Sequence, residues 1–312
     1  MTRGPPAAQV FVAVAEEGHV TRAAERLGIQ QPPLSQQIKA IEQELDVQLF
    51  RRKPRGVELT DAGRVLLDQA RAILERLDHA LLLTQRTARG EQGRLCVGIA
   101  PTAPFHPFVP QAIRAFREAY PLVSVTLEEC LSTEAIQRLR GEQIDVAFLR
   151  APVADPQGLA VHHLLDEPMV VALPHSHELA GSDRRSEPIR LRALAEETFI
   201  VFGGSAGPGI ADASLAACHR AGFSPRLGQQ APRIASTLGL VSAGLGVALV
   251  PASIQRVQVD GVAYRRLLPR EWPTAVLNFA LRRGDPSAIV RNFFDLVRRA
   301  ARDERWIGED LD

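Results

Sequence analysis

Apolar and polar positions along this chain change period twice. Between Ala7 and Leu59 they fit short helices: "AAQVFVAVAEEG" is apolar and helix-permissive as far as Gly18, and "TRAAERLG" runs from a cap at Thr21 or its neighbour to Gly28. A third helix is expected near Pro32 and Pro33, because proline's fixed φ and missing N–H are tolerated in a first helical turn. Along it Leu34, Ile38, Ile41 and Leu45 recur at steps of four, three and four, giving one apolar stripe, with Ser35, Gln36, Lys39 and Gln43 off it. The small pair Ala23 and Ala24 lets two helices approach closely, so the pattern reads helix, tight turn, helix. "LFRRKPRGVEL" then reads as two short strands about a Pro/Gly turn, a wing carrying Arg51, Arg52, Lys53 and Arg55.

From Thr60, a plausible N-cap, to about Arg89 the period becomes that of one long helix, with Asp61 placed in its positive first turn. Leu66, Ala70, Ile73, Leu77, Ala80, Thr84 and Thr87 alternate steps of four and three, a heptad seam that invites a partner helix. No neighbouring segment is expected to cover that seam. Gly90 and Gly93 close the element. After Arg94 the period shortens: "RLCVGIA", "VSVTLEE", "IDVAFLR", "PMVVALP", "TFIVFGG", "GVALVP" and "AVLNFAL" are strand-like, with helical stretches at 107–120, 132–140, 209–221 and 234–243 between them. Strands alternating with helices argue for parallel α/β sheets.

Composition adds little to this except by exclusion. At 312 residues, 46% hydrophobic and 23% charged, the chain is long enough for two or three globular domains and is neither disordered nor fibrous. Its 37 basic and 36 acidic side chains nearly cancel, so a nucleic-acid site has to be a local patch. A basic loop such as "RRKPR" is by itself usually only solvated. Behind a two-helix unit whose second helix offers hydroxyl, amide and ammonium groups, it reads as a phosphate grip beside a base-reading helix, which implies double-stranded DNA as a partner. Cys96, Cys130 and Cys218 are odd in number, far apart and in apolar contexts, and are read as reduced core residues. The opening residues lack the run expected of a signal peptide or membrane span, so a cytoplasmic protein without membrane contact is expected.

The stretch "FVAVAEEGHVTRAAERLGIQQPPLSQQIKAIEQELDVQLFRRKPRGVELTDAG" resembles the winged helix-turn-helix of LysR-type transcriptional regulators. The likeness continues, more loosely, through the long helix and through "GRLCVGIAPTAPFHPFVPQAIRAFREAYPLVSVTLEE", "GEQIDVAFLR" and "LGLVSAGLGVALVPAS". It implies three parts: an all-α winged helix-turn-helix DNA-binding domain (1–59), a dimerising linker helix (60–90), and a two-lobed α/β effector domain (91–312) similar to periplasmic binding proteins. One lobe is expected at 94–163 plus 269–303 and the other at 164–268, in a chain that assembles as a dimer through the linker and as a homotetramer overall. The resemblance also places Gln31, Pro32, Ser35 and Gln36 where the family's recognition helix meets operator or promoter DNA, and Arg55 where its wing enters the minor groove. Many members carry arginine where Gln36 stands; an amide suits adenine better.

The effector lobes are closest in pattern to regulators answering to aromatic acids and their ring-cleavage products. Thr102 and Ser132 fall where such members hold a ligand carboxylate, Ser132 at a helix N-terminus whose free N–H groups favour an anion. Ser132 also fits an ordinary N-cap. Arg150 could anchor the anion or make a surface or inter-lobe contact, and Phe202 and Ile210 could line the opposite wall or belong to the core. Other chemistries are weak: "FGGSAGPG" lacks the P-loop lysine, "SAGLGVALVP" lacks the third glycine of a dinucleotide site, and His175 and His177 have no third metal ligand at useful spacing. No cofactor and no enzyme activity are expected. The competing reading is a solute-binding or catalytic α/β protein acting on a small acid.

Overall fold

Three short helices open the chain, α1 (Pro5–Glu17), α2 (Val20–Leu27) and α3 (Gln31–Leu45), followed by the strands β1 (Phe50–Lys53) and β2 (Gly56–Leu59) and the long helix α4 (Asp61–Ala88). The structure, a computed structural model, describes residues 5–181, 187–203 and 209–303. It divides into the units Met1–Arg86 and Thr87–Asp312.

In the first unit Phe11, Val14, Ala23, Ala24 and Leu34 are buried together, and Ile38 and Ile41 extend the same core. Leu45, the fourth position of the apolar stripe, is 40% exposed, because α3 ends there on the left-handed residue Asp46. The start of α2 also departs from expectation: its N-cap is His19, and the Thr21 hydroxyl donates instead to Gln31 Oε1 at 3.3 Å. Gly28 closes α2 in the left-handed region, at φ 68°. The wing is an antiparallel hairpin pairing Phe50 with Leu59 and Lys53 with Gly56. It is clipped to the α1–α2 turn by the Val57 N–H, which donates to Gly18 O at 2.9 Å. A Cβ at Gly56 would lie 2.2 Å from that same carbonyl, so only glycine permits the clip.

Thr60 caps α4 as expected, its hydroxyl accepting from Gly63 N–H at 3.0 Å. The seam of α4 is not wholly uncovered. Leu66 packs against the first core and Ala70 is buried in it, because the first turns of α4 lie on their own unit. Farther along, Ile73 is 56% exposed, and Leu81 and Leu82 are exposed as well.

The second unit runs β3 (Gln92–Ile99), α5 (Phe108–Ala119), β4 (Leu122–Glu129), α6 (Ser132–Arg140), β5 (Val146–Leu149), β6 (Leu159–Pro174), β7 (Thr198–Phe202), α7 (Ile210–Arg220), β8 (Arg226–Ala231), α8 (Ile234–Ser242), β9 (Ala248–Pro251), β10 (Val262–Arg265), β11 (Thr274–Arg282) and α9 (Ala288–Ala300). Its main sheet has the order β10-β6-β11-β5-β3-β4, with β9 also on β6; β7 and β8 form a separate parallel pair. The sheet is mixed, not purely parallel. β3 is parallel to β4 and β5, but β6 pairs antiparallel with β9, β10 and β11.

The reason is the 16-residue β6, which sequence pattern marked only at its C-terminal end. At about 3.3 Å per residue it is long enough to traverse two cores. Leu159 and Leu165 belong to the lobe built around Phe108, Phe148, Phe279 and Phe293, whereas Met169 to Leu173 belong to the lobe of Phe199, Leu238 and Val250. The return crossing falls in β11 between Ala275 and Leu277, later than the expected 268/269 boundary, because Trp272 and Ala275 still pack in the second lobe. The three cysteines are free, Cys130 and Cys218 buried and Cys96 half-buried. Among the described residues no helix is long and apolar enough to cross a membrane.

Candidate functional site

Leu34 and Ile38 anchor α3 in the first core, which turns the opposite face outward. On that face Gln31, Pro32, Gln36 and Lys39 are exposed and Ser35 is half-buried. Ser35, Lys39, Gln43 and Arg52 line one groove between α3 and the wing, so helix and wing present their polar groups together. Glu42 holds that arrangement: its Oε1 accepts from Leu49 N–H at 2.7 Å and Phe50 N–H at 3.1 Å. The four basic wing residues are not equivalent. Arg51, Arg52 and Arg55 are exposed and make no ion pair among the described residues, whereas Lys53 Nζ lies 2.5 Å from Glu58 Oε2 and lowers that carboxyl's pKa. Thr21 reads from the sequence only as a helix cap and Gln43 only as a polar position off the apolar stripe; the fold sets them beside Gln31 and Arg52.

In the second unit Thr102, Ser132, Arg150, Phe202 and Ile210 all line one cleft, of about 520 Å³ counting its open mouth. β3 delivers Thr102 just past its C-terminal end, α6 begins with Ser132, and β5 ends one residue before Arg150. Phe202 ends β7 and Ile210 starts α7, forming the wall from the other lobe, and Leu131, Thr133 and Ala211 complete the lining. Residues 204–208 of the glycine-rich "GGSAGPG" lie outside the described residues.

Ser132 is not the N-cap of α6; Leu131 is, and Ser132 is the first helical residue. Its Oγ accepts from the Arg150 backbone N–H at 3.0 Å, which leaves the hydroxyl hydrogen free to donate elsewhere. Thr102 is 1% exposed, and its Oγ1 has no hydrogen-bond partner among the described residues. A buried hydroxyl without a partner is rare and marks a place where a further acceptor belongs. The first-turn N–H groups of the nine-residue α6 add to that demand. Its acidic first-turn residue, Glu134, is exposed and 3.8 Å from Arg138, away from the cleft lining. The N-terminus of α7 differs, because Asp212 already accepts from Gly209 N–H there at 3.1 Å.

Arg150 is neither an exposed contact nor a free cation. It is 4% exposed, and Nη2 lies 2.6 Å from Oε2 of Glu167 on β6, itself 0% exposed. Burial lowers the Arg150 pKa, and the Glu167 charge opposes that shift. Glu167 Oε1 in turn accepts from Ser253 N–H at 2.5 Å, just past β9. A chain of contacts thus joins the cleft, the first crossing strand and the second lobe: Ser132, Arg150, Glu167, Ser253. His106 lies close enough to feel both charges. It is fully buried, its Nδ1 accepts from Phe108 N–H at 3.2 Å, and burial pushes its pKa down to about 4. Sequence reading missed Glu167, Ser253 and His106. The available signals were a carboxylate heading the apolar run "EPMVVALP" and an imidazole inside "APFHPF". Among the described residues no group of side chains could hold a metal ion. His177 instead accepts from Leu179 N–H at 3.1 Å and faces Glu197 at 3.2 Å.

Comparison with known proteins agrees with this two-part geometry. Residues 7–64 match the family model for the bacterial regulatory helix-turn-helix protein of the lysR family, and residues 88–302 match the LysR substrate binding domain. The transcriptional regulator AlsR of Bacillus subtilis is 36% identical over 292 residues, covering 92% of this chain and 93% of that protein. CatR of Pseudomonas putida is 35% identical, covering 93% of this chain and 97% of its own. The crystal structure of CbnR, a LysR family transcriptional regulator, superposes with a TM-score of 0.84 at 29% identity over 95% of this chain and 100% of that one. CbnR complexed with its target DNA gives 0.81 at 29% identity, over 96% and 100%. The outward face of α3 beside a basic wing, the cleft between two lobes and these matches agree: the chain belongs to the LysR family and is a DNA-binding transcriptional regulator, not an enzyme, with an effector-binding domain and with DNA, a small-molecule effector and further copies of itself as partners.

Proposed function

We propose that the regulator is switched by a small organic carboxylate, an aromatic acid or a dicarboxylate derived from one, seated at the N-terminus of α6. The observation that carries this is the buried, unpartnered Thr102 hydroxyl lining the same cleft as Ser132, whose own oxygen is already engaged by Arg150. Two hydroxyl donors and the first-turn N–H groups suit a carboxylate, and the nearest guanidinium is neutralised by Glu167. Because Arg150 and Glu167 connect cleft and crossing strand, occupancy of the cleft bears on how the lobes stand, and a ligand shifts that balance only through differential affinity. In the first unit Gln31, Pro32, Ser35, Gln36 and Lys39 read base edges or phosphates, and Arg51, Arg52 and Arg55 grip backbone. Lys53 contributes less, being held by Glu58. Copies associate through the exposed part of α4 around Ile73 and Leu81.

The test is thermal stability of the full chain against benzoates, salicylates, muconates and phenylpropanoid acids. At about 100 times its dissociation constant, a true effector stabilises by roughly 2.7 kcal/mol. Ser132→Ala combined with Thr102→Val abolishes the shift. An acid that shifts the double variant as much as wild type refutes the site.

A further inference from the structure

The carboxylate of Glu16, in the last turn of α1, is held by two other helices at once. Arg71 of α4 donates to Oε1 twice, from Nη2 at 2.8 Å and from Nε at 3.2 Å, and Arg26 of α2 donates to Oε2 from Nη1 at 2.9 Å. Both guanidinium groups, Arg71 foremost, hold the Glu16 carboxyl below the usual carboxylate range. It is therefore ionised at neutral pH, and one side chain joins three helices.

The junction sits where α4 parts from the short helices. Ala70 is the last residue of α4 buried in the first core, Arg71 follows it, and Ile73 is already 56% exposed. Before that point the hold is apolar, through Leu66 and Ala70, and apolar burial carries no preferred direction, so it resists separation better than it resists tilt. Hydrogen bonds between charged groups supply the direction. Exposed ion pairs contribute little to stability, and the side chains of Arg26 and Arg71 are 51% and 48% exposed. The consequence of this contact lies in geometry, not in folding.

We infer that Glu16 is a positioning residue for DNA recognition: by tying α1 and α2 to α4 through Arg26 and Arg71, it sets the angle between the helix-turn-helix and α4, and with it the separation at which two copies read two half-sites. The inference rests on the association through α4 proposed above. Across a body on the order of 20 Å, a rotation of about 10° moves the outward face of α3 by about 3.5 Å, one base-pair step of the duplex. In a symmetric pair both faces move, which doubles the mismatch. No base contact changes, so the reading of a single half-site is unaffected.

The experiment uses the full chain and a half-site that it selects from random-sequence DNA. Duplexes carry two copies of that half-site at spacings varied in single base pairs, beside a duplex with one copy. Wild type should prefer one spacing, because two linked domains read at a fixed separation. An exposed pair is worth up to about fivefold in an equilibrium, and a two-site duplex engages two such junctions, so Glu16→Gln should cut the preference by at least about threefold. Binding to the single half-site should stay within about twofold of wild type. The variant frees two arginines, but any general gain in DNA affinity from them cancels in the ratio between spacings. Arg71→Gln should flatten the profile as well, and the double variant should flatten it no further than Glu16→Gln, since both changes break one contact. An unchanged profile in Glu16→Gln, an equal loss on the single half-site, or a flattening that Arg71→Gln does not reproduce overturns the inference, as does a wild type without a preferred spacing. If Glu16→Gln does not fold, Arg71→Gln decides alone. Failure of the α4 interface is read separately, as unchanged mass in the Ile73→Asp, Leu81→Asp protein.

Discussion

Replacing Glu167 by glutamine removes one charge from a pair that the fold has taken out of water. Its partner Arg150 is 4% exposed and Glu167 is 0% exposed, so little solvent is available to accommodate the guanidinium left behind. Glutamine keeps the shape and an oxygen for Ser253 N–H, which isolates the loss of charge from the loss of that hydrogen bond. Breaking a buried pair by removing one partner costs about 3–5 kcal/mol. For a unit of this size, at roughly 2–4 °C per kcal/mol, the effector-domain transition should fall by roughly 6–20 °C. Adding Arg150→Met to Glu167→Gln removes the stranded cation and should restore most of that loss, since an uncharged replacement of such a pair is often nearly neutral. Calorimetry of the full chain, wild type beside the single and the double variant, separates the effector-domain transition from that of the first unit. A Glu167→Gln protein melting within about 2 °C of wild type, or a double variant no more stable than the single, refutes the argument that buried charge governs this junction.

His106 carries a pH signature. Its folded-state pKa, about 4, lies below the ordinary 6.5, so the unfolded chain protonates first and stability is lost as pH falls from about 6.5 toward 4, by about 3 kcal/mol for this group. His106→Gln should flatten that part of the stability profile, and equal slopes for both proteins would disprove it. In DNA binding, Ser35→Ala should cost roughly 1–3 kcal/mol on a selected site and much less on random DNA. Arg55→Ala should weaken both and reduce the salt slope by about one, which titrations across salt concentrations measure. Ile73→Asp with Leu81→Asp places charge on the exposed side of α4 and should lower the mass seen in sedimentation together with affinity for a two-half-site operator. Unchanged mass would exclude that face as the interface.

The sequence by itself determined what depends on near neighbours. The proline start of α3, the left-handed Gly28 and the cap at Thr60 are local chemistry, and together with the apolar stripes they mark out the winged helix-turn-helix and the long helix. The looser part of the family resemblance pointed to Thr102 and Ser132, and the glycine-rich stretch to its flanking Phe202 and Ile210; all four line one cleft. Tertiary structure alone decided what depends on distant segments meeting. Arg150 and Glu167 are separated by the turn into β6, and Ser253 lies 86 residues beyond Glu167; no periodicity links them, and the pair forms because β6 passes both lobes. The same holds for the first turns of α4, whose Leu66 and Ala70 are covered by residues that fold back from α1 to α3. Local propensity selects elements within a few residues of chain, but burial of a charge follows from which surfaces come together, and only the folded chain specifies that.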